Sequence, residues 1–469
     1  MLAALGGIGY WLYANRTAKQ ISSIAVMPFT NESGSQDFDY LSDGMTETLI
    51  NSLMQLPNLS VKARSTVFRY KGSDLDMASI GKQLNVQAIL NGRVVQRGDG
   101  LTLFLELVDA QSGDRIWGDQ YSRKQSELVT LQTEIAQDVA SKLQAKLSGT
   151  ESQKLVKNYT SNPEAYQLYL RGNFYWNKRG KKNLDKAIDY YQQAIAIDPN
   201  YALAYAGIAE IFSQVSQQPE GMPKARDAVL KALALDSNLA EAHVAMGKVL
   251  GTHDYDFSGA EREFKRALEL NPNLGIAHFR YGLLLSQLGR FDASEAEFRR
   301  ALDLEPYSLV FNSGYGGVLA TARRYDESVV QLNRALELDK DFFLAHGALS
   351  RTYQLKGNYA ESVEQQARTI ELGENPQNAA AIRESFAKGG WEGYLRHMTR
   401  DDRPGSVQYY ELARFYTALG DRDKAIEALN NSFNNREINL PNIKTDPLLD
   451  PLHNDPRFQA LVRKIGFPE

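Results

Sequence analysis

The stretch IAVMPFTNESGSQDFDYLSDGMTETLI, residues 24–50, runs from a β-branched apolar segment through a Gly/Ser loop into a helical pattern. Strand, loop and helix in that order hold phosphate in many nucleotide-binding folds, because backbone N–H groups converge on the anion at the helix start. Such a loop needs several glycines and usually a lysine. Here there are only Gly34 and Gly44, no Gly-x-x-x-x-Gly-Lys is present, and Glu32, Asp37, Asp39 and Asp43 crowd the segment. Those carboxylates repel phosphate. The loop is expected to turn a corner, with Ser42 or Asp43 near the helix start, where a negative or accepting group suits the N-terminal dipole.

Other chemistry-bearing residues point the same way. The chain has no cysteine, which removes disulfides, Cys-based zinc sites and thiol catalysis. Among six histidines, His243, His278 and His346 recur early in the first helix of a repeating unit. They are expected to pack between neighbouring units, which lie roughly 10 Å apart and so keep the rings from sharing a metal. His253 lies in a His-Asp-Tyr-Asp turn that could attract a cation, though a plain turn explains it; His397 and His453 have no partner in sequence. No Gly-x-Ser-x-Gly occurs, and Glu261, Glu263 and Lys265 read as one solvated helix face. The segment FYWNKRGKKNLDKAIDYY mixes Trp176 with Lys178, Arg179, Lys181 and Lys182. Such a mix can stack on bases or meet an acidic protein, but it falls in a widened turn where solvated lysines belong. With 43% hydrophobic and 23% charged residues and a net charge of -4, nothing draws the chain to nucleic acid. No catalytic residue, metal site or cofactor is expected.

The elements that position these residues follow two grammars. From 21 to 147 the pattern mixes periods of 2 and 3.6. Ser23–Phe29 reads as a buried strand, 40–56 as an amphipathic helix, 59–63 as a strand and 77–84 as a short helix. Three strand-like segments follow, VQAILNGRVVQ, LTLFLELVDA and DRIWGDQYSR, separated by Gly98-Asp99-Gly100 and Gln111-Ser112-Gly113, which predict hairpins. A helix over 128–147 closes the order βαβαβββα, an α/β domain with a mixed sheet. The polar stretch 148–162 reads as a linker.

Beyond it the period is fixed. Ala267, Ala301, Ala335 and Thr369 are 34 residues apart, as are Phe291, Tyr325 and Tyr359. A 34-residue period of paired helices is the mark of tetratricopeptide repeats, stacked into an all-α superhelix. Gly282 is small where the helices of a pair meet, Gly289 and Phe291 make the turn, and Ser294 and Ala301 are small where the second helix crosses the next pair. Pro306 ends the unit. Six or seven units fit within 163–445, with an irregular spacer at 376–405 and a C-terminal cap over 446–469.

Residues 1–20 begin with an apolar run, Leu2 to Ala14, about 20 Å long as a helix and short of the ~30 Å hydrocarbon core. The tail of a membrane helix, a helix packed on the first domain and a signal-peptide core all remain open.

The blocks IAVMPFTNESG, YLSDGMTETLINSL, KARSTVFRYKG, IGKQLNVQAILNGRV and LVDAQSGDRIWGDQY resemble the TolB-like amino-terminal domain of bacterial proteins, over most of residues 24–121. The repeats, with THDYDFSGAEREFKRALELNPN and the tail DPLLDPLHNDPRFQALVRKIGFP, resemble the arrays that follow that domain. The resemblance implies a kinase or DNA-binding module, then a membrane helix, then these two parts on the far side. No such module precedes residue 1, so neither activity is expected here. The implied location is membrane-associated, through residues 1–14, and extracytoplasmic (periplasmic), with a cytoplasmic one still open.

Stacked helix pairs present a hollow lined by first-helix residues that suits protein or peptide partners. The expected lining is Lys248, Phe279, Leu283, Ser313, Gly317, Arg351 and Gln354, of which Lys248 and Arg351 could meet a partner's carboxylate. The function so read is a non-enzymatic scaffold in a bacterial signalling or envelope complex. The alternative is the sensory half of a signalling system, with a ligand on the α/β domain.

Overall fold

The computed structural model describes residues 21–56, 58–143, 157, 159–178, 180–214, 220–373, 375–400 and 408–468. The apolar segment 1–20, the end of the expected closing helix and most of the linker lie outside the described residues. The chain divides into two compact units, 1–178 and 179–469.

In the first unit β1 (Ser23–Val26) leads through a loop to α1 (Asp39–Met54). The loop is tied by its own groups: the Asn31 side chain donates to the Ser35 carbonyl at 2.8 Å and to Asp39 at 2.7 Å. Asp39, not Asp43, opens the helix. Asp43 lies one turn further in, with Lys71 Nζ at 2.5 Å. The two-residue strand β2 (Thr30–Asn31), β3 (Ser60–Val61), α2 (Met77–Leu84), β4 (Ala88–Arg97), β5 (Gly100–Asp109), β6 (Arg115–Lys124) and α3 (Leu128–Lys142) complete the expected order.

The sheet runs β3-β1-β4-β5-β6, with β2 also paired to β4. β1 is parallel to β3 and β4, and β4, β5 and β6 form an antiparallel meander. After Ser23, β1 is apolar, and Ile24, Ala25 and Val26 are all buried, as befits a strand covered on both faces. β5 alternates, burying Leu101, Leu103, Leu105 and Leu107, so it covers the core with one face. Gly98 takes the left-handed φ of +60° that the tight β4–β5 turn needs.

The helix α4 (Pro163–Lys178), assigned by period to the repeats, lies against α1. Gly44 makes this possible: a Cβ there would sit 3.0 Å from Leu170. Tyr166 OH donates to Thr48 Oγ1 at 3.3 Å, and the Asn177 side chain to Glu47 at 2.9 Å.

The second unit begins with α5 (Lys181–Ile197) and continues as helix pairs, whose members are termed A and B. These are α6 (Ala202–Gln214) with α7 (Gly221–Leu235), α8 (Ala240–Val249) with α9 (Phe257–Leu270), and α10 (Gly275–Gln287) with α11 (Phe291–Leu304). Then come α12 (Leu309–Thr321) with α13 (Tyr325–Leu338) and α14 (Phe343–Lys356) with α15 (Tyr359–Leu372). The expected irregular spacer is largely helical, as α16 (Pro376–Met398), broken at Gly390, where φ is +59°. The pair α17 (Tyr409–Leu419) and α18 (Arg422–Asn434) follows, then two 3-10 turns and α19 (Pro456–Ile465).

Within a pair, small residues on A receive large ones from B. A Cβ on Gly247, Gly282 or Gly316 would meet Phe264, Phe298 or Leu332 at 2.7, 2.8 and 2.5 Å. Ser294 also ties its own pair. Its hydroxyl donates to the Gly282 carbonyl at 2.7 Å; Ser328 repeats this on Gly316 and, at the crossing with the next pair, lies 3.0 Å from Thr352 Oγ1. The histidines, expected to pack between neighbouring units, bond within their own pair. Their Nδ1 atoms lie 2.6 Å from Glu263, Glu297 and Gln365 on the B helix of the same pair, and Nε2 meets a carbonyl six residues upstream. Each clasps its own pair because the ring reaches sideways along the A–B seam.

Neighbouring pairs are joined by a second repeated device. Glu261 accepts from Tyr281 OH at 2.9 Å and from Arg290 at 2.8 and 3.1 Å. One repeat later, Glu295 accepts from Tyr315 at 3.0 Å and from Arg324.

The C-terminal segment returns to earlier pairs. Phe433 stacks on Tyr255 at 5.7 Å, Phe467 stacks on Phe257 at 4.6 Å, and Arg436 donates to the His253 carbonyl at 2.8 Å. Asp450 pairs with Arg323 at 2.8 Å. Gly289, Arg323 and Gly357, 34 residues apart, all hold a left-handed φ in the A–B turn. Arg323 takes this glycine position at a cost of about 1 kcal/mol, and its guanidinium thereby reaches Asp450.

Candidate partner-binding groove

The A helices α6, α8, α10, α12 and α14 touch in succession and form one wall of the array. On α12 the residues at i, i+3, i+7 and i+11 are Val310, Ser313, Gly317 and Thr321, which share a helix face. Residues 34 apart extend this face over three pairs: Ile276, Val310 and Leu344 in one row, Leu283, Gly317 and Arg351 in the next. Val310 and Leu344 are 40% and 47% exposed, high for large apolar side chains. A Cβ on Gly317 would meet nothing within 4 Å, and Gly347 has only Thr369, at 3.8 Å. Missing side chains therefore open a trough between an apolar row and a row ending in a cation.

The expected lining residues fall into different places. Gly317 and half-buried Leu283 and Gln354 lie along this wall, and Arg351 is exposed on it. Phe279 does not line the trough. It is 4% exposed, stacked on Phe311 at 4.8 Å and edge-on to Phe298 at 5.6 Å, because Gly314 on the next A helix leaves a slot for its ring. Ser313 is buried, and its hydroxyl has no hydrogen-bond partner among the described residues.

Lys248 is engaged within the array. Its ammonium donates to the Ser213 carbonyl in the last turn of α6, where a cation meets unpaired carbonyls. Desolvation, then the charge of Arg280, push its pKa well below the usual lysine range.

Arg280 escaped the sequence reading. Its Nη2 lies 4.0 Å from Glu210 of α6, two pairs upstream, and 16% of its side chain is exposed. Its Nε is buried without an acceptor among the described residues. Desolvation lowers its pKa, with Glu210 opposing. Contact between A helices two pairs apart is possible only on the inner side of a curved stack, which fixes this face as concave. Among the described residues Arg351 has no ion pair of its own; it is exposed, with Arg414, Glu411 and Asp446 as its charged neighbours. The 34-residue row Ile276–Val310–Leu344 was the signal that could have revealed the apolar side.

Elsewhere, charge is already committed. On α1, Asp43 and Glu47 stand one turn apart, and burial raises both pKa values against the pull of Lys71 and Arg64. Each carboxylate is held: Arg64 Nε lies 3.0 Å from Glu47, and the Arg64 guanidinium covers Phe68 at 3.7 Å. A shallow cleft lined by Arg323, Arg324, Tyr325, Asp326, Glu327, Leu355 and Lys356 is likewise made of paired charges. Among the described residues no group of three or more His, Asp or Glu could hold a metal, and no helix is long and apolar enough to cross a membrane.

The model of the "HilA/YgeH-like transcriptional regulator, second domain" matches residues 19–138. Tetratricopeptide models match residues 179–215, 256–308 and 409–436. Over 189 residues the chain is 29% identical to "Putative adenylate cyclase 3" of Rhizobium meliloti (strain 1021), covering 40% of this chain and 32% of that protein. The chain thus spans about a third of that relative's length.

Among solved structures, YrrB, described as a TPR protein with an unusual peptide-binding site, matches at 23% identity and TM-score 0.29, covering 41% of this chain and 97% of that one. A thermophilic TPR protein of Thermus thermophilus, TTC0263, matches at 18% and 0.34, covering 42% and 98%. Lipoprotein GNA1162 of Neisseria meningitidis matches at 18% and 0.21, covering 26% and 99%. For the first unit, the matching model is HilA/YgeH-like rather than the TolB-like domain that its motif blocks resemble. The chain therefore joins a mixed α/β module similar to the second domain of HilA/YgeH-like regulators to an array of tetratricopeptide repeats.

Proposed function

We propose that this is a non-enzymatic interaction protein whose concave trough holds an extended segment of a partner protein, within a membrane-associated bacterial signalling or envelope assembly. The observation that carries the reading is the open space over Gly317 beside the exposed apolar row Val310 and Leu344. A folded protein gains nothing from leaving large apolar side chains in water beside an unfilled trough; an extended chain laid along it would cover them. Two names fit a regulatory setting: the transcriptional regulator whose second domain the first unit matches, and the adenylate cyclase of the curated relative. The TolB-like resemblance of the motif blocks is the ground for placing the array outside the cytoplasm.

Gly317→Trp tests the groove. A Cβ at residue 317 meets nothing within 4 Å, and an indole attached there is meant to fill the trough. Affinity purification from the native host should recover specific partners with the wild-type chain and lose them with the variant, while circular dichroism stays unchanged. Recovery of the same partners by both would refute the assignment.

A further inference from the structure

We propose that the concave wall holds one acidic side chain of the bound segment at a cation pair, Arg280 and Lys248, while the apolar part of that segment continues over the row Ile276, Val310 and Leu344. This rests on the groove reading above and adds the chemistry of its occupant.

The site spans the A helices α6, α8 and α10. Matching the helix starts Ala202, Ala240 and Gly275 puts Glu210, Lys248 and Leu283 in one row, and Gly207, Ala245 and Arg280 in the next. The second row continues through Gly314 and Ala348, so Arg280 is the one long side chain in it. Ala245 is small where that side chain crosses α8, and the guanidinium reaches Glu210 on α6. The curvature that brings α6 within reach of α10 therefore assembles the site.

Two cations face one carboxylate there. Lys248 makes no ion pair among the described residues; its ammonium donates to the Ser213 carbonyl and lies 3.5 Å from Ser213 Oγ. Glu210 is 4.0 Å from Arg280 Nη2, beyond hydrogen-bond range, and accepts instead from Gln214 at 2.6 Å. The Arg280 and Glu210 side chains are 16% and 24% exposed, so water answers little of the surplus charge. Desolvation, then Arg280, already work against the Lys248 charge, with Glu210 alone opposing them. A poorly solvated cation without a full partner is costly, and a charge-assisted bond to an incoming carboxylate relieves that cost. One negative charge balances the set. A phosphate dianion would leave it net negative in the same poorly solvated place. Helices α6 and α8 flank Arg280 on one side, α12 and α14 on the other. A segment laid along the wall thus passes Arg280, which makes the carboxylate a side chain and not a chain end.

Anisotropy on the full chain tests this with acetylated, amidated fluorescent peptides, apolar except for one central glutamate. Affinity should fall about tenfold when that glutamate becomes glutamine, and by a similar factor in Arg280→Gln. Lys248→Met should weaken binding less, and added salt should also weaken it. Arg280→Lys should keep part of the affinity, which guards against misfolding of the glutamine variant. Glu210→Gln removes the internal competitor and should tighten binding severalfold; a residue that only held Arg280 in place would loosen it when lost. Neither phosphoserine in place of the glutamate nor a free terminal carboxylate on the glutamine peptide should match the glutamate peptide. Equal affinity for the glutamate and glutamine peptides, looser binding in Glu210→Gln, preference for phosphoserine or a free terminus, or no binding by any peptide overturns the proposal. If Gly317→Trp abolishes binding while the charge variants have no effect, only the acidic contact falls; if it has no effect either, the groove reading falls as well.

Discussion

In the first unit, Asp43 and Glu47 are drawn into the protein one turn apart on a single helix, and burial raises their pKa values despite Lys71 and Arg64 beside them. In the second, Glu261 and Glu295 stand 34 residues apart at seams between pairs. Desolvation works against Glu261, but Arg290, Lys265 and Tyr281 hold it down to about 2; Arg324 and Arg299 do the same for Glu295. A sheet domain fixes each charge once, inside, where desolvation dominates. A repeat array fixes charge at a partly solvated seam, where several donors gather on one carboxylate, and then copies the seam. The array therefore holds its neighbours together by a device that recurs along the stack, and the sheet domain by contacts that occur once.

The sharpest way to break this contrast is the one ion pair that the array, among its described residues, buries on both sides. Arg414 and Asp446 are 5% and 6% exposed and 2.6 Å apart. Arg414→Ala should cost the array about 3–5 kcal/mol by stranding Asp446, while Arg414→Met with Asp446→Leu should cost far less. Denaturant titration of both variants reads the difference; equal losses would show that packing, not the stranded charge, matters.

Next comes the A–B seam. Gly282→Ala drives a Cβ to 2.8 Å from the Phe298 ring and should cost about 1–3 kcal/mol by overpacking. Adding Phe298→Leu should recover part of it, and a double-mutant cycle measures the coupling.

Acid separates the two units more gently. Between about 4.5 and about 2 the unfolded chain binds protons that folded Glu261 and Glu295 refuse, so their stabilisation of the array is lost across that interval as pH falls. Asp43 and Glu47 have raised values, so folding holds their protons more tightly than the unfolded chain does, and their contribution to the first unit improves as pH falls. Residue-resolved hydrogen exchange on acidification should show the array losing protection first, with Glu261→Gln and Glu295→Gln flattening its response. Simultaneous loss, unaffected by those substitutions, would contradict the contrast.

The smallest effect is a gain. Gly317→Ala meets nothing within 4 Å and should stabilise the array by roughly 0.5–1 kcal/mol through lower unfolded-state entropy. A thermal midpoint that falls instead would mean the trough is narrower than described.

Most of the architecture was legible because it obeys short periods. The close approach at Gly282 and the turn at Gly289 follow from spacing alone, and the 77–84 helix matched at both ends because Asp76 and Asn85 cap it through side-chain and left-handed backbone geometry. What escaped depends on the neighbour rather than the residue. Phe279 looked inward-facing, yet it fills the slot opened by Gly314, a fact about the next pair. The histidine clasps were within reach, since His243–Glu263, His278–Glu297 and His346–Gln365 are 19 or 20 residues apart. The return of Phe433 and Phe467 to Tyr255 and Phe257 carries no period at all. The helix 163–178 sits with the sheet domain because Gly44 admits Leu170, a fit that periodicity does not encode.

That return has a mechanical consequence. Tension applied to the chain beyond residue 434 would not peel the final pair away by itself; it would load the stacked rings at Tyr255 and Phe257 in shear, several pairs upstream. The coil is in effect stapled back on itself, and the tightness of that staple sets how far the intervening helices can splay when something is threaded between them.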